Sequence, residues 1–241
     1  MSIFSRIAEV LAAITTNAIA SVVETVRSLF AGDPETRKQV AFSVALIALS
    51  AKMAKADGIV THEEVAAFRQ IFSIPEGEER NVARLYDLAK QDVAGFEAYA
   101  TRLADMCTGD EACRTSLEDV LDGLFHIAKA DGGVHEHELQ FLGTIASIFG
   151  FSETAFERIL SRHAVTGDPD PYVVLGISHG TGYEAAQKIW RDLVKEHHPD
   201  RLAARGLPAE FILIANERIR AINAAWNRLS PELKRANLVR A

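Results

Sequence analysis

Around Pro199, the stretch KEHHPD puts His197, His198 and Asp200 within four residues of one another. Two imidazoles and a carboxylate could hold a metal or relay a proton; beside a proline they could instead form a stiff docking turn. A second set of candidates is acidic. KADGIVTHEE, residues 55–64, returns as KADGGVHEHE, residues 129–138, matching at six of ten positions with an offset of 74. Asp57 and Glu64 in one copy, with Asp131 and Glu138 in the other, offer hard oxygen ligands for a divalent cation such as calcium. The ligand alternation of an EF-hand loop is missing, however, and local chemistry explains much of the repeat. Gly58 and Gly132 can take the left-handed conformation that stops a helix, and Thr61 with Glu64 three residues later is a capping box. Spacing alone therefore favours capped acidic turns over a metal site.

The remaining chemical residues are less informative. His135 and His137 stand two apart, so they cannot share a helix face as the histidines of HExxH do. His126 and His163 have no paired ligand nearby in sequence and receive no role. Cys107 and Cys113, the only cysteines, lie outside CxxC spacing, so two reduced, buried thiols are expected.

These residues must be carried by helices. Apolar residues recur at helical spacing through most of 36–163, and no period-two alternation bounded by hairpin turns occurs, so an all-α fold is expected. Each acidic turn then joins two helices. TGDPDP, 166–171, interrupts the pattern and serves as the linker to a second module over 172–241. That module begins with YVVLGI and a Gly-rich turn, then a helix from about Tyr183 to His197. Ala186, Ile189, Trp190, Leu193, Val194 and His197 form its inward stripe, with Lys188, Arg191 and Lys195 on another face. Pro199 cannot continue that helix, which places His198, Pro199 and Asp200 in a loop. A long helix follows, with Phe211, Ala215, Ile219, Ile222, Trp226 and Leu229 inward, giving an antiparallel hairpin with the loop at its tip.

The formal charge of −7 is uneven: residues 168–241 carry 11 Lys+Arg against 9 Asp+Glu, which leaves −9 on residues 1–167. Nothing here resembles the concentrated basic face of a nucleic-acid binder. Residues 1–35 read as an amphipathic helix with Ile3, Ile7, Leu11, Ile14, Val22, Val26 and Leu29 on one face. The uncharged run Val10–Val23 is only 14 residues long and is interrupted by Thr15, Thr16 and Asn17, short of a membrane span. The helix is left to pack in its domain, to form a homodimer or to touch a membrane surface. A cytoplasmic location is expected, with peripheral contact at the inner membrane face left open.

Two family resemblances follow from the motifs. KADGxVxxxE occurring twice makes residues 36–165 resemble the tellurite-resistance TerB-like domain, a helical bundle with suspected metal association; this keeps the cation reading at Asp57, Glu64, Asp131 and Glu138 open. DPYVVLGI, RDLVKEHHPDR and RAINAAWNRLSPELKR, in that order, resemble the J domain of DnaJ-type co-chaperones. That resemblance implies a non-enzymatic adaptor. It would recruit a DnaK-class chaperone and stimulate its ATP hydrolysis through His198, Pro199 and Asp200, with Arg191, Lys195, Arg201 and Lys188 as electrostatic contacts. The TerB-like domain would select a client or a location. No cofactor is required. Gln187, Asp192 and Glu196 interrupt a helix face that is often more basic in the family. The alternative is a metal-responsive stress or envelope-sensing protein to which the J domain is a secondary attachment.

Overall fold

Residues 40–54 are buried at every position, and the helix that carries them forms the axis of the structure. A helix buried on all sides has to be surrounded by others, because no face is left to water. The computed structural model describes residues 3–13, 33–57, 62–72, 74, 76–91, 95–109, 111–163, 169–204 and 211–240. Among these the structure is all-α, with no strand.

The first helix, α1, spans Ile3–Ala13, and the central helix α2 spans Pro34–Asp57. Around α2 lie α3 (His62–Ile71), α4 (Glu79–Gln91), α5 (Phe96–Met106), α6 (Glu111–Ala128), α7 (Glu136–Ile148) and α8 (Glu153–Arg162). Ile7, Val10 and Leu11 place α1 in the bundle core rather than on a free surface; Ile14, Val22, Val26 and Leu29 lie outside the described residues. Phe42, Phe72 and Phe125 are among the largest fully buried side chains, and burial of each contributes about 1.5–3 kcal/mol.

The second acidic turn matches the capping expectation. Lys129–Asp131 form one 3-10 turn, and Gly132 stops it at φ +117°, where a residue with a Cβ would be strained. The Glu138 carboxylate then accepts from the backbone N–H of His135, opening α7. In the first copy, residues 58–61 and the Asp57 side chain lie outside the described set.

Cys107 and Cys113 are joined as a disulfide, which corrects the expectation of two thiols. Cys107 caps the end of α5, Cys113 lies in the first turn of α6, and their Cα atoms stand 5.0 Å apart, within bonding range.

Beyond the bundle come α9 (Pro171–Leu175), α10 (Tyr183–Glu196), α11 (Pro199–Ala204) and α12 (Ile212–Arg240). The Asp170 carboxylate caps α9 by accepting from Tyr172 N at 2.9 Å, with Pro171 in its first turn. α10 and α12 pack together, closing a small core of Val174, Leu175, Ala186, Ile222, Trp226 and Leu229. α12 also has a second attachment. Phe211, Ile214 and Ala215 sit in the core of the first bundle rather than in the hairpin, against the expected single inward stripe. Gly123 makes this approach feasible, since a Cβ there would stand 2.9 Å from Ile214 Cδ1 and 3.2 Å from Leu46 Cδ1.

Candidate partner-docking site

The His-Pro-Asp turn is built from its flanks inward. α10 has apolar residues on one side, and Trp190 fixes that side: its ring stacks on Trp226 with centroids 5.1 Å apart, and its Nε1–H donates to Asn223 Oδ1 at 2.9 Å. With the apolar side pinned to α12, Lys188, Arg191 and Lys195 face solvent. α10 stops at Glu196, and the His197 N–H closes it on Leu193 O.

Only His197 and His198 separate the two helices. Pro199 opens α11 rather than continuing a loop, as its fixed φ and missing N–H suit the first helical position. The His198 carbonyl accepts from Arg201 N at 2.9 Å. The His198 ring is half exposed, with Nδ1 3.3 Å from the Asp200 N–H and 3.5 Å from its carboxylate, which itself is almost fully exposed. His198, Arg191, Lys195 and Arg201 line one shallow concavity whose floor is Trp190 and Val194. Lys188 is exposed on α10 outside that concavity. An apolar floor with three cations and a polar imidazole suits an acidic, partly apolar protein surface. The exposed acid Asp200 beside it would need a donor on the partner.

His197 turns the other way. It is 4% exposed, and its Nδ1 accepts from Arg218 Nη1 at 2.7 Å. Burial first, and then the neighbouring Arg218 charge, push its pKa down to about 3, so the ring is a neutral acceptor. Arg218 in turn pairs with Asp119 at 2.7 Å and with Asp122 at 2.5 Å, both on α6. Arg162 adds Glu118 at 2.5 Å and Asp122 at 3.6 Å, and His163 Nε2–H donates to Asp122 at 2.7 Å. Burial alone would raise these carboxyls; Arg162 and Arg218 instead hold Glu118 down at about 2 and Asp122 well below its usual range. At the edge of this cluster, the Glu217 carboxylate accepts from His126 Nδ1 at 2.9 Å and from Lys129 at 3.2 Å. The histidines left without a role in the sequence, His126 and His163, thus tie α6 to α12 and to the end of α8.

The acidic turns are separate from this site. Asp131 pairs with His135 at 3.0 Å, and Glu64 and Glu138 are buried at the starts of α3 and α7. No group of three or more His, Cys, Asp or Glu residues able to hold a metal ion occurs among the described residues, which exclude the Asp57 side chain. Burial, and then the nearby Glu64, raise the pKa of Glu138 to about 7 against its helix-capping hydrogen bond. A folded-state pKa above the unfolded value gives stability that is complete below the ordinary carboxyl range and is lost as pH rises through about 7. Glu138→Gln keeps the acceptor. It is expected to be neutral near pH 4 and stabilising above pH 7, as checked by thermal melts across that range.

Residues 43–161 match the family described as tellurite resistance protein TerB. The chain is 31% identical over 221 residues to the co-chaperone protein DjlA of Photobacterium profundum, covering 81% of this chain and 79% of that one. It is 29% identical to the DjlA of Coxiella burnetii, covering 73% and 72% of the two chains, and 27% identical to that of Vibrio cholerae, covering 84% and 81%. No solved structure gives a significant match. Among the described residues, no helix is long and apolar enough to cross a membrane.

Proposed function

Because this chain belongs to the family of DjlA co-chaperones, we propose that residues 172–241 are a J domain that recruits a DnaK-class chaperone and stimulates its ATP hydrolysis. The observation that carries this reading is the position of His198. It is exposed at the tip of the α10–α12 hairpin and opens onto the concavity lined by Arg191, Lys195 and Arg201.

In this reading the protein breaks no bond and is not itself an enzyme. The partner's nucleotide site performs the hydrolysis. The turn binds the hydrolysis-competent conformation better than its alternatives and so shifts the population toward it. His198 and Asp200 supply directional contacts, Pro199 keeps the turn short, and Arg191, Lys195, Arg201 and Lys188 steer an acidic partner surface into register. The TerB-like bundle selects a client or a location. Work with a DnaK-class partner fits a cytoplasmic location.

The steering role has its own signature. Arg191→Ala is expected to raise the co-chaperone concentration needed for half-maximal ATPase stimulation while leaving the maximum nearly unchanged. The deficit should shrink at high salt, where the wild-type attraction is itself screened. A deficit of the same size at low and high salt would remove Arg191 from the electrostatic contact.

A further inference from the structure

Among the contacts of the described residues, two bear on the orientation of the His-Pro-Asp turn, and one of them leads into the other half of the protein. The first is local, the hydrogen bond from Arg201 N to the His198 carbonyl. The second starts at His197, whose backbone adjoins His198 and whose ring is fixed by Arg218. Arg218 is itself held on several sides: Nε donates to Asp122 Oδ2 at 2.5 Å, Nη2 lies 2.5 Å from the same oxygen, and Nη1 lies 2.7 Å from Asp119. Asp119, Asp122 and Arg218 are each at most 3% exposed.

We propose that Arg218 is a positioning residue for the His198-Pro199-Asp200 turn, locked in place by Asp119 and Asp122, so that the TerB-like bundle sets the geometry with which the turn meets its partner.

The proposal rests on the J-domain reading above, and the chemistry of the guanidinium supports it. A planar guanidinium whose Nε donates to Asp122, and whose Nη1 donates to His197 while lying 2.7 Å from the Asp119 carboxylate, has little freedom to rotate. The same Nη1 reaches the imidazole of His197, so the orientation of the fork is passed to the residue beside His198. The neutral state of His197 leaves its Nδ1 lone pair available for that hydrogen bond. A lysine could supply the charge at position 218 but not the fixed plane. Asp119 and Asp122, by contrast, lie on α6, across the interface from the hairpin, and reach the turn through Arg218.

The test uses the full chain with a DnaK-class chaperone in single-turnover ATPase assays. Both the maximal stimulation and the concentration for half-stimulation are read, with circular dichroism and thermal melts alongside. Arg218→Met is expected to lower the maximum several-fold with the half-stimulating concentration little changed, because Arg191 and Lys195 remain in place. Arg218→Lys should recover thermal stability more fully than it recovers stimulation. Asp119→Asn, a change confined to the bundle, should lower the maximum in the same direction. If Arg218→Met does not fold, the other two variants decide. Folded Arg218→Lys and Asp119→Asn proteins that reach the wild-type maximum overturn the proposal, as does a loss confined to the half-stimulating concentration. A wild type that gives no stimulation at all instead removes the J-domain reading on which the proposal stands.

Discussion

His198→Gln is expected to reduce stimulation of the DnaK-class ATPase to the unstimulated rate while leaving the fold intact. The two halves of that expectation have separate causes. Among the described residues, His198 Nδ1 approaches the N–H and carboxylate of Asp200, at 3.3 and 3.5 Å, and its ring is half exposed. Losing so weak and wet a contact costs at most about 1 kcal/mol, and glutamine retains hydrogen-bonding capacity. Toward a partner, however, the imidazole projects from the junction between α10 and α11 with a fixed direction that a flexible amide does not reproduce. Single-turnover hydrolysis with matched circular dichroism measures both halves. Undiminished stimulation by a folded His198→Gln protein would move the function to the TerB-like bundle. Asp200→Asn should follow the same pattern, since its carboxylate is almost fully exposed and free to make a charge-assisted contact with a partner.

Asp122→Ala is expected to produce the largest loss of stability among single changes at the ion cluster. It removes the carboxylate that faces Arg218, His163 and, at longer range, Arg162, and takes from the buried Arg218 Nε–H and His163 Nε2–H the acceptor they have in the wild type. Breaking a buried pair by deleting one partner typically costs about 3–5 kcal/mol. Urea titration followed by circular dichroism should show the midpoint falling by a corresponding amount. The pH dependence has a definite sign. Asp122, Glu118 and Glu217 all have folded-state pKa values below their ordinary ones, Glu118 and Glu217 at about 2. Their contribution is therefore present above the unfolded carboxyl range and is lost as pH falls toward 2. Wild type should lose stability steeply on the acid side, and Asp122→Ala should do so with a shallower slope.

The parts of the structure governed by local chemistry were legible in the sequence. Pro199 dictates where α10 ends, the apolar spacing from Ala186 to Val194 dictates which face packs, and Gly132 with Glu138 dictates the second acidic turn. The ion cluster was not legible, because its pairs join residues far apart in the chain: Asp122 lies 41 residues from His163 and 96 from Arg218. An amphipathic pattern on α6 identifies Leu117, Val120, Leu121 and Leu124 as the core face. It cannot say whether Glu118, Asp119 and Asp122 meet water or another helix. One clue was present. Along α12, Phe211, Ile214, Ala215, Arg218 and Ile222 share one helical spacing, so a cation occupies a position in an apolar stripe. A buried arginine needs carboxylates, and α6 has three of them on its second face. The disulfide escaped for a similar reason: a six-residue separation says nothing until the end of α5 and the start of α6 bring the two Cα atoms within reach.

The position of Phe211, Ile214 and Ala215 in the bundle core also bears on the order in which a nascent chain matures. Chains fold broadly from the amino terminus as they are synthesised, yet this bundle lacks part of its interior until α12 has been made. A ribosome that stops short of residue 211 would therefore release a protein with an open seam beside Gly123 and unmatched acids on α6, a ready substrate for quality-control proteases. Only a chain that includes the start of α12 closes that seam, and the same helix carries the Arg218 that anchors the turn. Completion of the interior and readiness to engage a chaperone would thus arrive together, so a partly made copy could not recruit ATPase activity to an unfinished bundle.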